Sequence, residues 1–109
     1  MAKKDIFAVL DLALAVVKDA ALADCLRRVE NAQREYLLAE ADKNRGKSKA
    51  VIKAIVKIDI ECKKLELTYS KIKDDLGSDG KDIMDDLLGM LEKERKRLVK
   101  EKNSIMKES

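Results

Sequence analysis

The chain contains no histidine, no proline and no tryptophan, and Phe7, Tyr36 and Tyr69 are its only aromatic residues. Without histidine there is no Ser–His or Cys–His pair, and the carboxylate–histidine pattern of di-iron bundles is absent. Cysteine is limited to Cys25 and Cys62. Two are too few for a disulfide framework, and no Cys/His spacing suggests zinc, so a reducing cytoplasm is the expected setting. Chemistry from carboxylates alone needs a pocket, which a narrow helical core rarely provides. The expectation is a non-enzyme with no cofactor and no metal.

What is present is charge and good helix formers. Of 109 residues, 41% are charged, and the chain is rich in Ala, Leu, Glu, Lys and Arg. That is the make-up of long helices in one domain, residues 1–109. The net charge of +3 is too small to imply nucleic acid by itself. Lys3-Lys4 before an apolar run imitates a secretory signal. Asp5 and Asp11 spoil the imitation, and Lys18-Asp19 interrupts the run well short of the roughly 20 apolar residues a membrane span needs.

Hydrophobic spacing is clearest in the middle. Val51, Ile55, Ile58, Cys62, Leu65, Tyr69, Ile72 and Leu76 alternate steps of four and three, which places them on one face of a helix. A strand reading of VKIDIEC, residues 56–62, competes over seven residues, and the longer period wins. The first segment carries Phe7, Leu10, Leu14, Val17, Ala21, Cys25, Val29, Ala32, Tyr36 and Ala39. Extra four-residue steps around Cys25 make this stripe drift. The last segment places Met84, Leu88, Leu91, Leu98 and Ile105 in heptad register, with Arg95 and Lys102 in the remaining positions.

Two stretches punctuate the pattern. Asn44-Arg45-Gly46 with Ser48 ends one helix and caps the next, and Gly77-Ser78-Asp79-Gly80 does the same with Ser78 or Asp79 as the cap. ADKNRGKS, residues 41–48, has the outline of a phosphate loop. Such a loop needs a preceding buried strand, and an amphipathic helix stands there instead. The expected fold is all-α: an antiparallel three-helix bundle with coiled-coil-like packing and a long first helix. Its helices are expected near 4–44, 48–76 and 80–107.

If the first two helices fold about Gly46, residues whose numbers sum to about 92 face each other. Cys25 then lies near Leu67, about 7 Å along the axis from Cys62 at 1.5 Å per residue, too far for a disulfide. The same count leaves residues 4–15 projecting about 15 Å beyond the second helix. This overhang is the most apolar part of the chain. Either it bends near Lys18-Asp19 and folds back, or it pairs with its copy, or it receives a helix of another protein. No glycine or proline marks a bend, so association is favoured. The expectation is a protein–protein interaction module or adaptor, self-associating as a homo-oligomer or binding another helical protein. Ile6, Phe7, Val9, Leu10 and Leu14 would be the anchors.

A small nucleic-acid-binding accessory protein is the alternative. The helix 1–2 turn and the end of the last helix would share a basic pole carrying Lys43, Arg45, Lys47, Lys49, Lys93, Arg95, Lys96, Arg97 and Lys100. Much of this asymmetry matches helix macrodipoles, and no aromatic accompanies the cations to stack on bases. The acidic DLGSDGKDIMDD, residues 75–86, resembles a calcium loop in part, but Gly77 and Asp86 stand where better ligands are needed.

Overall fold

A computed structural model describes residues 5–42 and 48–108, apart from the side chains of Ser48 and Glu108. All four of its α-helices follow from local capping and apolar spacing. They are α1 (Ile6–Val16), α2 (Ala20–Ala41), α3 (Ser48–Ile72) and α4 (Ser78–Glu108), with a 3-10 turn at Lys73–Asp75 before α4. There is no strand among the described residues.

The expected single helix over 4–44 is therefore two helices. Val17 leaves the helical region at φ −77 and ψ 121, and Asp19 is equally extended at φ −73 and ψ 124. Asp19 then restarts the chain, its carboxylate accepting the Leu22 amide at 2.9 Å. Asp5 caps α1 in the same way, accepting from the Phe7 amide at 3.0 Å. Each such cap is worth about 1 kcal/mol, enough to stop and restart a helix without proline or glycine.

The bend resets the phase of the apolar stripe. In α2 the buried positions are Leu22, Leu26, Val29, Ala32, Gln33 and Tyr36, while Ala21 is exposed and Cys25 half-buried. The row 22, 26, 29, 33, 36 has regular steps of four and three, so the drift seen around Cys25 belongs to two helices read as one. In α3, Val51, Ile55, Ile58, Cys62, Leu65 and Tyr69 are buried, as their spacing requires.

α2 and α3 form the closest antiparallel pair, and α4 packs on α3. Lys57 Nζ meets Glu35 Oε1 at 3.0 Å, and Cys25 Sγ lies 3.4 Å from Thr68 Oγ1. Both pairs match the facing rule of about 92. Cys25 and Cys62 are both free.

α1 runs back along α2 and packs on α4 as well. Ile6 and Phe7 sit beside Gln33, Tyr36 and Leu37 of α2 and Glu94 and Arg97 of α4. The arrangement is four helices, up, down, up and down, and α1 is the short one. It widens the arc that α4 must bury, so Leu87 is fully buried and Leu88 packs on the core beside it. Gly77, not Ser78 or Asp79, occupies the cap position of α4: its carbonyl accepts the Lys81 amide at 3.0 Å. Asp79 falls in the first turn, where the helix dipole favours it.

Candidate functional site

The five apolar residues expected to meet a partner are mostly engaged by the chain itself. Leu10 is completely buried, and Ile6, Val9 and Leu14 pack on the core from its edge. The 15 Å overhang does not exist, because the turn at Val17–Asp19 lays α1 against α2 and α4. Of the five, Ile6 and Phe7 face surface clefts, and Phe7 reaches a second one. It lines about 360 Å³ with Arg34, Leu37 and Leu38, and the Arg34 guanidinium stands 5.4 Å from its ring centroid. Such a cation over a ring holds the ring's exposed face in place.

Leu37 is 51% exposed and Leu38 70% exposed. Neither was among the expected anchors. Two adjacent leucines directly after the inward-facing Tyr36 were the available signal, since a helix buries only one stripe. Val56, Ile60 and Leu67 on α3 are likewise exposed. The alternation in VKIDIEC marks them: Ile58 and Cys62 point inward, so Val56 and Ile60 point out.

The basic pole is only partly brought together. Lys43, Arg45 and Lys47 lie outside the described residues. Lys49 is exposed on the first turn of α3, and Lys93, Lys96 and Lys100 are exposed on α4. The two arginines are tied to carboxylates. Arg95 donates to Asp59 at 2.8 Å and to Glu66 at 3.0 Å, and only 20% of its side chain is exposed. Burial pushes the Asp59 carboxyl up, but hydrogen bonds from Lys63 and Arg95 outweigh that, so it stays below its ordinary value. Arg97 donates to Glu94 at 2.6 Å. That bond, offset in part by burial, holds the guanidinium above its ordinary pKa. Lys96 sits 3.7 Å from Glu92.

Between α3 and α4 lies a groove of about 730 Å³ lined by Asp59, Glu66, Glu92, Arg95, Lys96, Val99 and Lys100. Three carboxylates line it with three cations. A phosphate backbone would meet those carboxylates at short range, which opposes binding there.

Tyr36 marks the junction of three helices. Its hydroxyl donates to Glu101 and its ring lies under Arg97, 6.0 Å from the guanidinium carbon. Burial, then the bond to Glu101, pushes its phenol up to about 12. Tyr69 donates to Asp85 at 2.9 Å and is also pushed up to about 12, chiefly by burial. Burial pushes the Cys62 thiol up to about 12, which makes it a poor nucleophile.

Residues 78–86 of the calcium-loop resemblance are the first turns of α4. Among the described residues, no group of three or more histidine, cysteine or acidic side chains is arranged to hold a metal. No helix among them is long and apolar enough to cross a membrane. Ala41 of the phosphate-loop outline closes α2, so helix and not strand precedes that stretch.

No protein-family model, curated protein or solved structure matches the chain.

Proposed function

We propose that this chain is a non-enzymatic protein–protein interaction module. The observation behind that reading is the Phe7–Leu37–Leu38 surface, where two leucines are more than half exposed beside a ring held by Arg34. On a protein with a well-filled interior, apolar side chains gathered beside a cleft mark a docking position.

Self-association is a weak use of this surface. Burying what is exposed of Leu37, Leu38 and the less exposed Phe7 on each of two copies yields about 1 kcal/mol per side chain, or about 6 kcal/mol gross. Association entropy removes at least about 4 kcal/mol of that. That leaves at most about 2 kcal/mol, so the homodimer constant is about 30 mM or weaker. The anchors are Phe7, Leu37 and Leu38; Leu10 has no free surface left to offer.

Sedimentation equilibrium up to about 1 mM tests this: at a constant of about 30 mM, roughly 6% of the chain is dimeric at the top concentration. Wild type is expected to show a concentration-dependent rise in mass that Leu38→Glu abolishes. Identical monomeric behaviour of both proteins at the top concentration would remove self-association from the account. The nucleic-acid alternative has less support, because Arg95 and Arg97 are committed to carboxylates.

A further inference from the structure

The outer side of α3 repeats the spacing of its inner side. Lys49, Lys53, Val56, Ile60, Lys63 and Leu67 follow one another at steps of four and three, and all six are exposed. At about 100° per residue this row lies on the opposite side of the helix from Ile58, Cys62 and Leu65. A row with that spacing presents one nearly straight strip to a second helix, with knobs and holes in heptad register. From Lys49 to Leu67 the strip runs about 27 Å. α3 therefore carries two helix-binding faces, and its own bundle covers one.

Charge on the strip has one sign. Val56 is 41%, Ile60 46% and Leu67 63% exposed, with Lys49 and Lys53 before them and Lys63 between Ile60 and Leu67. Among the described residues, no carboxylate lies within ion-pair distance of Lys49, Lys53 or the flanking Lys71. Lys63 alone of the row is paired, 3.1 Å from Asp59. Of the nearest acids on α3, Asp59 is shared between Lys63 and Arg95 of α4, Glu66 reaches Arg95, and Glu61 lies on the α2 side, where it is buried.

We infer that the outer face of α3 receives an acidic amphipathic helix of another protein, with leucine-type side chains between Val56, Ile60 and Leu67 and carboxylates over the lysines. This rests on the reading of the chain as a protein-binding module but uses a different surface. A second copy of the same strip is disfavoured, since it would set lysine rows against each other. Duplex or single-stranded nucleic acid finds no aromatic on the strip and meets the carboxylates of the neighbouring groove. An anionic bilayer needs no heptad spacing, and no aromatic anchor stands on this face.

The test uses the full chain and a labelled synthetic peptide of four heptads, leucine at the seam and glutamate beside it, whose own charges oppose its self-pairing. Fluorescence anisotropy at low salt is expected to show saturable binding that weakens as salt rises. Ile60→Ser with Leu67→Ser should weaken it about tenfold or more, as should Lys53→Glu with Lys63→Glu, each about 1.4 kcal/mol or more. These four side chains are exposed, so thermal melting of the variants should stay close to wild type, which separates lost binding from lost folding. Leu38→Ser should leave the peptide's affinity unchanged.

Absence of saturable binding up to about 1 mM peptide overturns the inference. So does equal binding by the Ile60/Leu67 variant, or by a peptide in which lysine replaces glutamate. Phosphatidylserine vesicles and a DNA duplex are titrated in parallel. If either binds in an Ile60- and Leu67-dependent way while the peptide does not, the face belongs to that ligand and not to a helix. Peptide failure with Leu38-dependent self-association intact would sink this inference and leave the module reading standing.

Discussion

Replacing Leu10 by alanine asks whether α1 contributes to the folded monomer. Leu10 has no exposed surface and lies midway along α1, with Ala13 and Val17 buried after it. Leucine-to-alanine changes at such sites cost about 2–5 kcal/mol, from lost transfer energy and the cavity left behind. With a urea m-value of about 1–3 kcal/mol/M for a chain of this size, the midpoint should fall by about 1 M or more. Leu12, two residues away and 55% exposed, is the control: Leu12→Ala should change stability by less than about 0.5 kcal/mol. One further outcome is informative. If α1 is held by less than the full penalty, Leu10→Ala releases it without unfolding the rest, and the m-value drops because less surface remains to be exposed. Circular dichroism and urea titration at a few tens of micromolar, well below the dimer constant of about 30 mM, read both quantities. Equal midpoints and equal m-values for Leu10→Ala, Leu12→Ala and wild type would refute the packing of α1 on its own bundle.

Other perturbations have comparably definite outcomes. Asp19→Ala removes the cap that accepts the Leu22 amide, and should lower stability by about 1 kcal/mol in a thermal melt. Gly89 sits inside α4 with open space where a Cβ would stand, so Gly89→Ala should stabilise by about 1 kcal/mol and raise Tm by several degrees. At pH 8 a thiol reagent should label Cys25 and spare Cys62 until the protein is unfolded, as followed by mass spectrometry. Cys62, Tyr36 and Tyr69 are all raised to about 12 from ordinary values of 9.0, 10.0 and 10.0. Raised acids favour the folded state while protonated, so their stabilisation is complete below about pH 9 and is lost as pH climbs from 9 toward 12. Urea midpoints measured across that range should fall.

The α3 core was legible because its apolar row never misses a step, and the α2–α3 register was legible because one turn fixes which residues face each other. Glu35–Lys57 and Cys25–Thr68 show it. The break in the first helix was harder to see. No proline or glycine stands there, and the sign was a stripe that drifted by two extra four-residue steps between Val17 and Val29. A drift of that kind is also compatible with one relaxed helix, and only the Asp19 cap decides between them. The bend used the apolar opening segment inside the molecule, which is why Leu10 is not a free anchor. Leu37 and Leu38 stand outside the inward stripe of α2, so the periodicity that fixes the core says nothing of them. The outer row of α3 was visible in VKIDIEC, but weighing that alternation as a strand obscured its meaning on a helix.

Native-state amide hydrogen exchange across residues 6–16, at a concentration where the chain is monomeric, tests most directly the claim that α1 belongs to the bundle. An isolated helix of 11 residues is marginal in water and exchanges close to the unfolded rate. Packed as described, the amides of Leu10, Ala13 and Leu14 should exchange at least about 100-fold more slowly, as expected for helices held by tertiary contacts. Exchange of these amides at the unfolded rate, while α2 and α3 stay protected, would contradict the account and return the opening segment to the role of a free binding arm.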